Sequence, residues 1–300
     1  MSALIAIDWG TTSLRGAQLD ASGRVLASRS SAQGILSVPT GQFEAVFQAH
    51  FGDWMAEPNA WCLISGMAGS RQGWQEAPYC PCPADFNTLS QHLLWLQADR
   101  IALVPGLCCS GQDALQTPDV MRGEEVQIFG ALHLAACQSA TLVLPGTHSK
   151  WVQVQSGRVT HFQTFMTGEV FALLSQHSIL GKTIDLNGAF EEAAFLQGVD
   201  QSQTEGSVLH RCFAVRTLGL FERLSPAALS SYLSGLLIGE ELRCQTALSP
   251  QQPVILIGNP ALTLRYTLAL KHLGMACQSF GDEATWAGLH ALAKHLTKPR

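Results

Sequence analysis

Hydrophobic and polar positions along the chain alternate in short runs that predict β-strands, separated by longer stretches of helical periodicity. The opening part predicts three strands, a helix and a buried strand, near residues 3–8, 14–20, 24–31, 42–56 and 61–65. A similar order returns in the second half, with strands over 140–144, 151–155 and 159–166 and helical sequence from 168 to 180. We therefore interpret residues 1–135 and 140–300 as two versions of one architectural plan.

The remaining segments fit this α/β plan. Residues 66–90 are rich in glycine, proline and polar residues and predict a long functional loop. Apolar patterns predict a strand over 101–104 and helices over 120–136, 190–196 and 226–248. The chain ends in a predicted strand–helix–strand–helix order over 253–257, 262–273, 275–280 and 283–296. Such an order is typical of the edge of a parallel sheet.

Four glycine-containing turns follow apolar strands, at Gly10, Gly66, Gly146 and Gly258. Ligands of open α/β sheets bind at such strand ends. The first turn is rich in hydroxyl groups, and its weaker counterpart at 146–149 has the same character, so both can bond phosphate oxygens. Neither matches the Walker or dinucleotide-binding pattern. Asp8, at the end of the first strand, can hold a metal-bound water, and phosphoryl transfer is the first activity suggested.

Composition narrows the class of protein further. The chain has 300 residues, of which 47% are hydrophobic and 14% charged, with a net charge of −5. This predicts one large or two modest globular domains, with neither nucleic acid nor membrane as a partner. The nine cysteines show neither zinc nor redox spacing, which favours reduced thiols and a cytoplasmic location. The apolar composition permits a homodimer.

The motif order resembles one family of sugar-acid kinases. In chain order the segments are DWGTTSLRG, SGMAGSRQGW, PGL, DVMRGEEVQIFGA, LPGTHSKWV, FMTGE, LSGLLIGEE, GNPALTLRY and GDEATWAGL. Together they look like the 2-dehydro-3-deoxygalactonokinase family, a branch of the actin-like, hexokinase and Hsp70 ATPase superfamily. The resemblance implies an α/β chain of two ribonuclease H-like domains flanking a nucleotide cleft. It also implies ATP-dependent phosphorylation, with Mg²⁺, of 2-dehydro-3-deoxy-D-galactonate at its terminal (6-) hydroxyl in galactonate catabolism.

The resemblance also assigns nucleotide-binding residues. Asp8 lies in the segment that resembles the first phosphate loop, and it is expected to contact magnesium through water. Asp8 is therefore one of two expected catalytic residues, and the other is Glu124. The residues expected to bind ATP lie in the two phosphate loops, an adenosine loop and the last strand end: Gly10, Thr11, Thr12, Arg15, Gly146, Thr147, His148, Lys150, Gly258, Asn259 and Gly281. Asp282 follows the last of these and is expected to help close the nucleotide pocket. Lys150 and the pair at 281–282 could also be ordinary surface or turn residues.

Substrate recognition is placed at residues 66–74 and in the RGEE segment. The expected sugar-acid contacts are Met67, Ala68, Gly69, Ser70, Trp74, Arg122 and Glu169. The planar guanidinium of Arg122 suits a carboxylate, and Arg15 and Arg71 are rivals.

The catalytic base is expected to be a carboxylate near the start of the helix. Glu124 is preferred as the base that draws the hydroxyl proton, with Glu125, Asp113 and Asp119 as alternatives. Glutamates at a helix start are also favoured by the helix dipole alone. Trp74 could instead anchor its loop in the core.

The expected domains are residues 1–135, carrying sugar-acid recognition and the first phosphate loop, and 136–300, carrying the second phosphate loop and the adenosine site. Two other functions stay open at this point: a kinase for another sugar or sugar acid, and a non-catalytic nucleotide-binding sensor of the same fold. The acidic RGEE segment beside a polar substrate loop favours a kinase, because a sensor needs neither.

Overall fold

The computed structural model describes residues 4–111, 115–245 and 252–297 as an α/β structure. The strands are β1 (Leu4–Trp9), β2 (Leu14–Leu19), β3 (Val25–Ser31), β4 (Trp61–Gly66), β5 (Tyr79–Pro81), β6 (Leu94–Gln97), β7 (Ile101–Leu103), β8 (Gly106–Ser110), β9 (Pro118–Met121), β10 (Ala140–Leu144), β11 (Ser149–Gln155), β12 (Arg158–Phe165), β13 (Val254–Ile257) and β14 (Cys277–Phe280). The α-helices are α1 (Phe43–Phe51), α2 (Phe86–Gln91), α3 (Glu124–Leu134), α4 (Thr167–His177), α5 (Glu192–Ser202), α6 (Val208–Leu220), α7 (Pro226–Arg243), α8 (Pro260–His272) and α9 (Glu283–Thr297). Short 3₁₀ helices cover Ile35–Ser37, Trp54–Ala56, Met67–Gly69 and Ile179–Lys182.

The first large sheet has six strands in the order β3-β2-β1-β4-β7-β6. Strands β1 and β2 form an antiparallel hairpin, and β4 runs parallel to β1 on its other side. The registers place Arg15 of β2 and Ser65 of β4 opposite Asp8 of β1. Side chains in register on neighbouring strands share a face of the sheet. One row across the sheet therefore carries a cation, a carboxylate and a hydroxyl.

The second large sheet repeats this plan with five strands in the order β12-β11-β10-β13-β14. Its strand β10 is parallel to β13, just as β1 is parallel to β4. The order third-second-first-fourth strand is the same in both sheets, so the predicted architectural repeat is confirmed. A smaller sheet, β5-β8-β9, lies outside the repeat.

The chain forms two compact units. The first consists of residues 1–140, 152–163 and 280–300, and the second of 141–151 and 164–279. In the first unit, buried aromatic side chains of α1 pack on β1 and β4, and α9 lies against α3 and β1. In the second, α7 packs against α5 and contributes to the core beneath β10 and β13. The domain roles expected for 1–135 and 136–300 stay a prediction.

Some predicted elements differ in the structure. The helix expected from residue 120 begins at Glu124, because residues 118–121 form β9 and Gly123 adopts φ 105°, outside helical geometry. The long loop expected over 66–90 contains β5 and α2, whose three and six residues are too short to show a clear periodicity. Asp113 lies outside the described residues. Along the described parts of the chain, no helix is both long and apolar enough to cross a bilayer.

Candidate active site

The hairpin turn between β1 and β2 is the segment predicted to be the first phosphate loop. The amide of Gly10 donates to the carbonyl of Ser13 at 2.8 Å and closes the turn. Residues 35–36 support it from outside, because their amides donate to the carbonyls of Gly10 and Thr11. The side chains of Thr11 and Thr12 are exposed. The backbone of this turn is thus held in place while its hydroxyl groups stay accessible to a ligand.

Arg15 joins two carboxylates of the first unit. Its Nη2 donates to Asp8 Oδ2 at 2.5 Å, and its Nη1 donates to Asp282 Oδ1. Asp8 is mostly buried, whereas Asp282 is exposed on the turn that follows β14. The predicted neighbours Asp8, Arg15 and Asp282 are therefore brought together in one ion-paired chain.

The other oxygen of Asp8 faces the end of β4. Gly66 has φ 95°, and a Cβ there would lie 3.1 Å from Asp8 Oδ1 and 2.8 Å from the carbonyl oxygen of Trp9. Only glycine adopts this backbone without strain and leaves the carboxylate oxygen uncovered. A carboxylate oxygen beside a carbonyl is a donor set that suits a hydrated magnesium ion, so the residues present fit the expected role of Asp8.

The two glutamates of the RGEE segment both turn back to the start of α3. Glu124 Oε2 accepts from the amide of Arg122 at 2.9 Å, and Glu125 Oε2 accepts from the amide of Gly123 at 2.7 Å. Glu125 Oε1 also accepts from the hydroxyl of Ser65 at 3.4 Å. Glu125 is completely buried, whereas Glu124 is partly exposed.

Burial raises the pKa of Glu125 to about 8, and the charge of Glu124 adds to the shift. Hydrogen bonds from the backbone and the charge of Arg122 oppose this shift only in part. This raised pKa favours the protonated form of Glu125 at neutral pH, and its side chain has no exposed surface. Of the adjacent pair, Glu124 is the carboxylate that a ligand can approach.

The glycine-rich segment after β4 combines packing residues with unsatisfied polar atoms. Met67 and Trp74 pack on the core of the first unit, where the Trp74 ring lies 6.2 Å from that of Trp9. Ala68 is fully buried, and its carbonyl accepts from the amide of Trp74. By contrast, Ser70 Oγ is buried without a hydrogen-bond partner among the described residues. The hydrophobic members of the predicted set thus serve the core in this structure, and Ser70 is the member available for a polar ligand.

Arg122 is the best candidate for binding a carboxylate. It is 8% exposed, its Nη2 donates to the carbonyl of Ala77 at 2.8 Å, and its guanidinium lies 4.2 Å above the ring of Tyr79. Nε and Nη1 have no partner within the described chain. A Cβ at Gly69 would lie 3.0 Å from Nη1, so the glycine leaves room beside the cation. A buried donor without a partner costs about 1–3 kcal/mol, which an anionic ligand would offset.

A polar cavity of about 250 Å³ lies beside the same segment in the first unit. Its lining includes Glu44, Arg71, Gln72 and Trp74. Arg71 is mostly exposed and pairs with Glu76 at 2.9 Å. The cavity brings Arg71, the rival cation, to the same end of the loop as Trp74. Asp119, an alternative base, lies on β9, and its Oδ1 accepts from the amide of Val120.

The predicted second phosphate loop lies in the second unit, between β10 and β11. Thr147 and His148 are exposed, and the carbonyl of Thr147 accepts from the amide of Glu169 at 3.0 Å. His148 Nε2 lies 2.6 Å from Glu169 Oε2. The structure thus places Glu169, expected to bind the sugar acid, against the phosphate loop. Lys150 is buried, and its Nζ donates to Thr164 Oγ1 at 2.6 Å.

The predicted adenosine loop follows β13. Gly258 has φ 149°, and Asn259 Oδ1 accepts from the amide of Ala261 at 2.8 Å, which caps α8. The Asn259 side chain therefore serves as the N-cap of α8 in this structure. A small cavity of about 60 Å³ in the second unit is lined by Gly146, Thr167, Gly168, Phe171, Ser234, Leu237, Ile238, Leu262, Arg265 and Tyr266. Gly281, in the first unit, donates its amide to Glu283 at 2.7 Å.

Sequence reasoning missed three residues around the second phosphate loop. Thr167 begins α4 and lines the small cavity. Arg265 also lines this cavity, and burial lowers the pKa of its guanidinium. Glu241 is a buried carboxylate near the C-terminal end of α7, a largely apolar helix. An acidic residue within the otherwise apolar segment LSGLLIGEEL was the available signal, since buried glutamates are rare unless they have partners. In the described parts of the chain, no group of three or more His, Cys, Asp and Glu side chains could hold a metal ion.

This repeated α/β plan, with a glycine- and hydroxyl-containing hairpin in each copy, defines the actin-like ATPase fold. The fold class predicted from sequence is confirmed by solved structures of this class. A family model described as 2-keto-3-deoxy-galactonokinase matches residues 8–292. The chain belongs to that family, and the resemblance found in its motifs is confirmed.

Individual relatives agree with this assignment. The 2-dehydro-3-deoxygalactonokinase of Escherichia coli (strain K12) is 36% identical over 291 residues, covering 96% of this chain and 97% of the relative. A crystal structure of a Sinorhizobium meliloti protein, provisionally named as the same kinase, is 34% identical with a TM-score of 0.90 and covers 100% of both chains. The activator of 2-hydroxyisocaproyl-CoA dehydratase from Clostridium difficile, solved with ADPNP, is similar in fold alone, at 13% identity, a TM-score of 0.51 and 99% coverage of both.

Proposed function

We propose that this chain transfers the γ-phosphoryl group of MgATP to the terminal (6-) hydroxyl of 2-dehydro-3-deoxy-D-galactonate, a step of galactonate catabolism. The observation that carries the proposal is the buried guanidinium of Arg122, which keeps two donors unpaired among the described residues beside the glycine-rich segment. A sugar acid supplies a carboxylate that can accept charge-assisted hydrogen bonds from these donors. Membership of the family supports the same substrate class.

The first unit supplies the sugar-acid site in this proposal. Arg122 binds the carboxylate, while Ser70 and the backbone after Gly66 bond hydroxyl groups. Glu124 accepts the proton of the attacking hydroxyl, because its partly exposed carboxylate can approach a substrate, whereas Glu125 is sealed and protonated. Positioning and electrostatics then carry most of the barrier reduction, as in other phosphoryl transfers.

In the second unit, the hairpin turn after β10 and the small cavity bind the nucleotide. Exposed hydroxyls and amides at Thr11, Thr12 and Thr147 bond phosphate oxygens. Asp8 holds a water of the magnesium ion that accompanies ATP, and the ion neutralises charge on the phosphates. Arg15, now paired with Asp8, provides a further cation for the phosphates.

The role of Arg122 is tested by comparing Arg122→Met with Arg71→Met, which removes the rival cation. Loss of a charge-assisted contact should raise KM for the sugar acid at least about 10-fold, while KM for ATP changes little. Arg71→Met should leave both constants near wild type. If Arg71→Met raises KM for the sugar acid and Arg122→Met does not, the carboxylate is bound at the 250 Å³ cavity instead.

The activity itself is tested by ADP release against a panel of keto-deoxy sugar acids and other sugars. Turnover on 2-dehydro-3-deoxygalactonate supports the proposal, and faster turnover on another sugar acid would reassign the substrate. ATP binding without turnover on any of them would indicate a nucleotide sensor. Glu124→Gln should lower kcat by about 100-fold or more with ATP affinity nearly unchanged, whereas Asp119→Asn should keep activity.

A further inference from the structure

The buried carboxylate of Glu241 is the centre of a hydrogen-bond network that no expected role explains. Glu241 is 2% exposed. Its Oε1 accepts from Ser149 Oγ at 2.7 Å and from Trp151 Nε1 at 2.6 Å. Its Oε2 accepts from Tyr266 Oη at 2.9 Å and from Thr167 Oγ1. Four donors converge on one side chain of α7, and all of these residues belong to the second unit.

The four donors lie on elements next to the two segments of that unit expected to bind ATP, the second phosphate loop and the adenosine loop. Ser149 and Trp151 begin β11, directly after the second phosphate loop. Thr167 is the first residue of α4, whose next residue, Gly168, packs so closely that a Cβ there would lie 2.3 Å from the carbonyl oxygen of Gly146. Tyr266 lies on α8, which starts at the adenosine loop. Thr167 and Tyr266 also line the small cavity.

The chemistry of the network argues for a specific purpose. A buried carboxylate is costly unless hydrogen bonds or a cation compensate its charge. Here the compensation comes from neutral donors on three other elements, and burial still leaves the pKa of Glu241 raised. A core built for stability alone would be served as well by apolar side chains. A carboxylate with two oxygens, by contrast, sets the distances between all the segments that it joins.

We infer that Glu241 is a positioning residue for the nucleotide: it holds the second phosphate loop, the start of α4 and the adenosine loop in the arrangement that binds ATP. Glu241 itself touches neither ATP nor the sugar acid. The inference rests on the proposed function for the identity of the nucleotide, but not for the ordering of these segments.

The test compares Glu241→Met and Glu241→Gln with Glu240→Gln. Methionine leaves the four donors unpaired. Glutamine keeps an acceptor for Trp151, which can only donate, while its amide can donate to the hydroxyls of Thr167 and Tyr266. Glu240 is the adjacent residue of α7 and pairs with Arg211 and Arg243, outside the nucleotide segments. It therefore controls for a general loss of stability.

ATP affinity is measured by calorimetry at a temperature where circular dichroism shows every variant folded. Glu241→Met should raise the Kd of ATP at least about 10-fold, the equivalent of one net hydrogen bond, with KM for the sugar acid within about 2-fold. Glu241→Gln should restore most of the affinity, and Glu240→Gln should lower Tm without changing Kd. If Glu241→Met changes Tm alone, or changes both substrates equally, the inference is wrong.

Two further measurements keep the result decisive. Should Glu241→Met not fold, Ser149→Ala removes a single donor, and the Kd of ATP should still rise about 3-fold; an unchanged Kd contradicts the inference. Hydrogen exchange of residues 146–149 and 167–169 should be faster in Glu241→Met, or in Ser149→Ala, but not in Glu240→Gln. If the wild-type chain binds no ATP, the proposed function fails, and these exchange rates alone decide whether Glu241 orders the segments.

Discussion

Glu125 provides a prediction about stability that follows from its burial. The side chain is fully buried at the start of α3, where its carboxyl accepts from the amide of Gly123 and the hydroxyl of Ser65. Burial, with the charge of Glu124 adding to it, raises the pKa from 4.5 to about 8. Between these two values the folded chain keeps a proton that the unfolded chain has lost.

The size of the effect follows from proton linkage. The folded state binds more protons in this range, so the free energy of unfolding falls by about 1.4 kcal/mol for each pH unit. Between about pH 5.5 and about pH 7.5, Glu125 therefore lowers stability by about 3 kcal/mol. Glu125→Gln resembles the protonated acid in size and keeps an acceptor for the Gly123 amide, so it should be free of this loss.

Urea unfolding followed by tryptophan fluorescence measures the difference. The stability of Glu125→Gln relative to wild type should increase by about 3 kcal/mol between about pH 5.5 and about pH 7.5. Glu57→Gln, at an exposed position, should not alter the pH dependence. An equal pH dependence in wild type and Glu125→Gln would refute the argument that this carboxyl is protonated in the folded chain.

Three further predictions concern packing, an ion pair and the metal-side carboxylate. Gly130→Ala should lower Tm by at least about 5 °C, because the added Cβ would lie 1.8 Å from a carbonyl oxygen of α9. Gly219→Ala is the control and should lower Tm less, because its Cβ would meet only a movable side chain, at 2.9 Å. Glu240→Gln should cost about 1–3 kcal/mol near pH 7 in urea unfolding, since it breaks the pair with Arg211. Burial acts to raise the pKa of Glu240, but its arginine neighbours lower it overall, so this loss should shrink in acid; a constant loss would contradict the pairing. Asp8→Asn should abolish the gain in ATP affinity that Mg²⁺ gives wild type, measured by calorimetry with and without Mg²⁺, and an unchanged gain would exclude Asp8 from the metal.

The repeated sheet could be predicted because burial imposes a strong local pattern. Residues 4–7 of β1 are all buried, and the matching run at 140–144 carries the same signal. The start of α3 could not be predicted, because residues 120–123 are compatible with helical periodicity until the positive φ of Gly123 is known. The three residues of β5 show too few positions for a period to emerge, whereas β7 was predicted from its continuous apolar run.

Candidate site residues could be proposed from the sequence where they stand in one local motif. They could not be proposed where the arrangement depends on residues far apart in the chain. Arg122 and Glu124 stand together in one short segment, where the family resemblance and the chemistry of their side chains made them candidates, and their roles stay a prediction. The partners of Glu241 lie 92, 90, 74 and 25 residues away, so no window of sequence shows that they meet. The role of Trp74 could not be predicted for a different reason. An aromatic residue in a polar loop can contact a ligand or, as in this structure, pack against the core.

The return of α9 to the first unit bears on how the chain folds during synthesis. Domains usually fold in order as the ribosome releases them. Here α9 packs on α3 and β1, so the unit that starts first is completed last, after the second unit has emerged. Until residue 297 is made, the face of α3 at Val126 and Gly130, which α9 covers, has no partner within its own unit. A nascent chain halted before α9 should therefore bind chaperones through its earliest part.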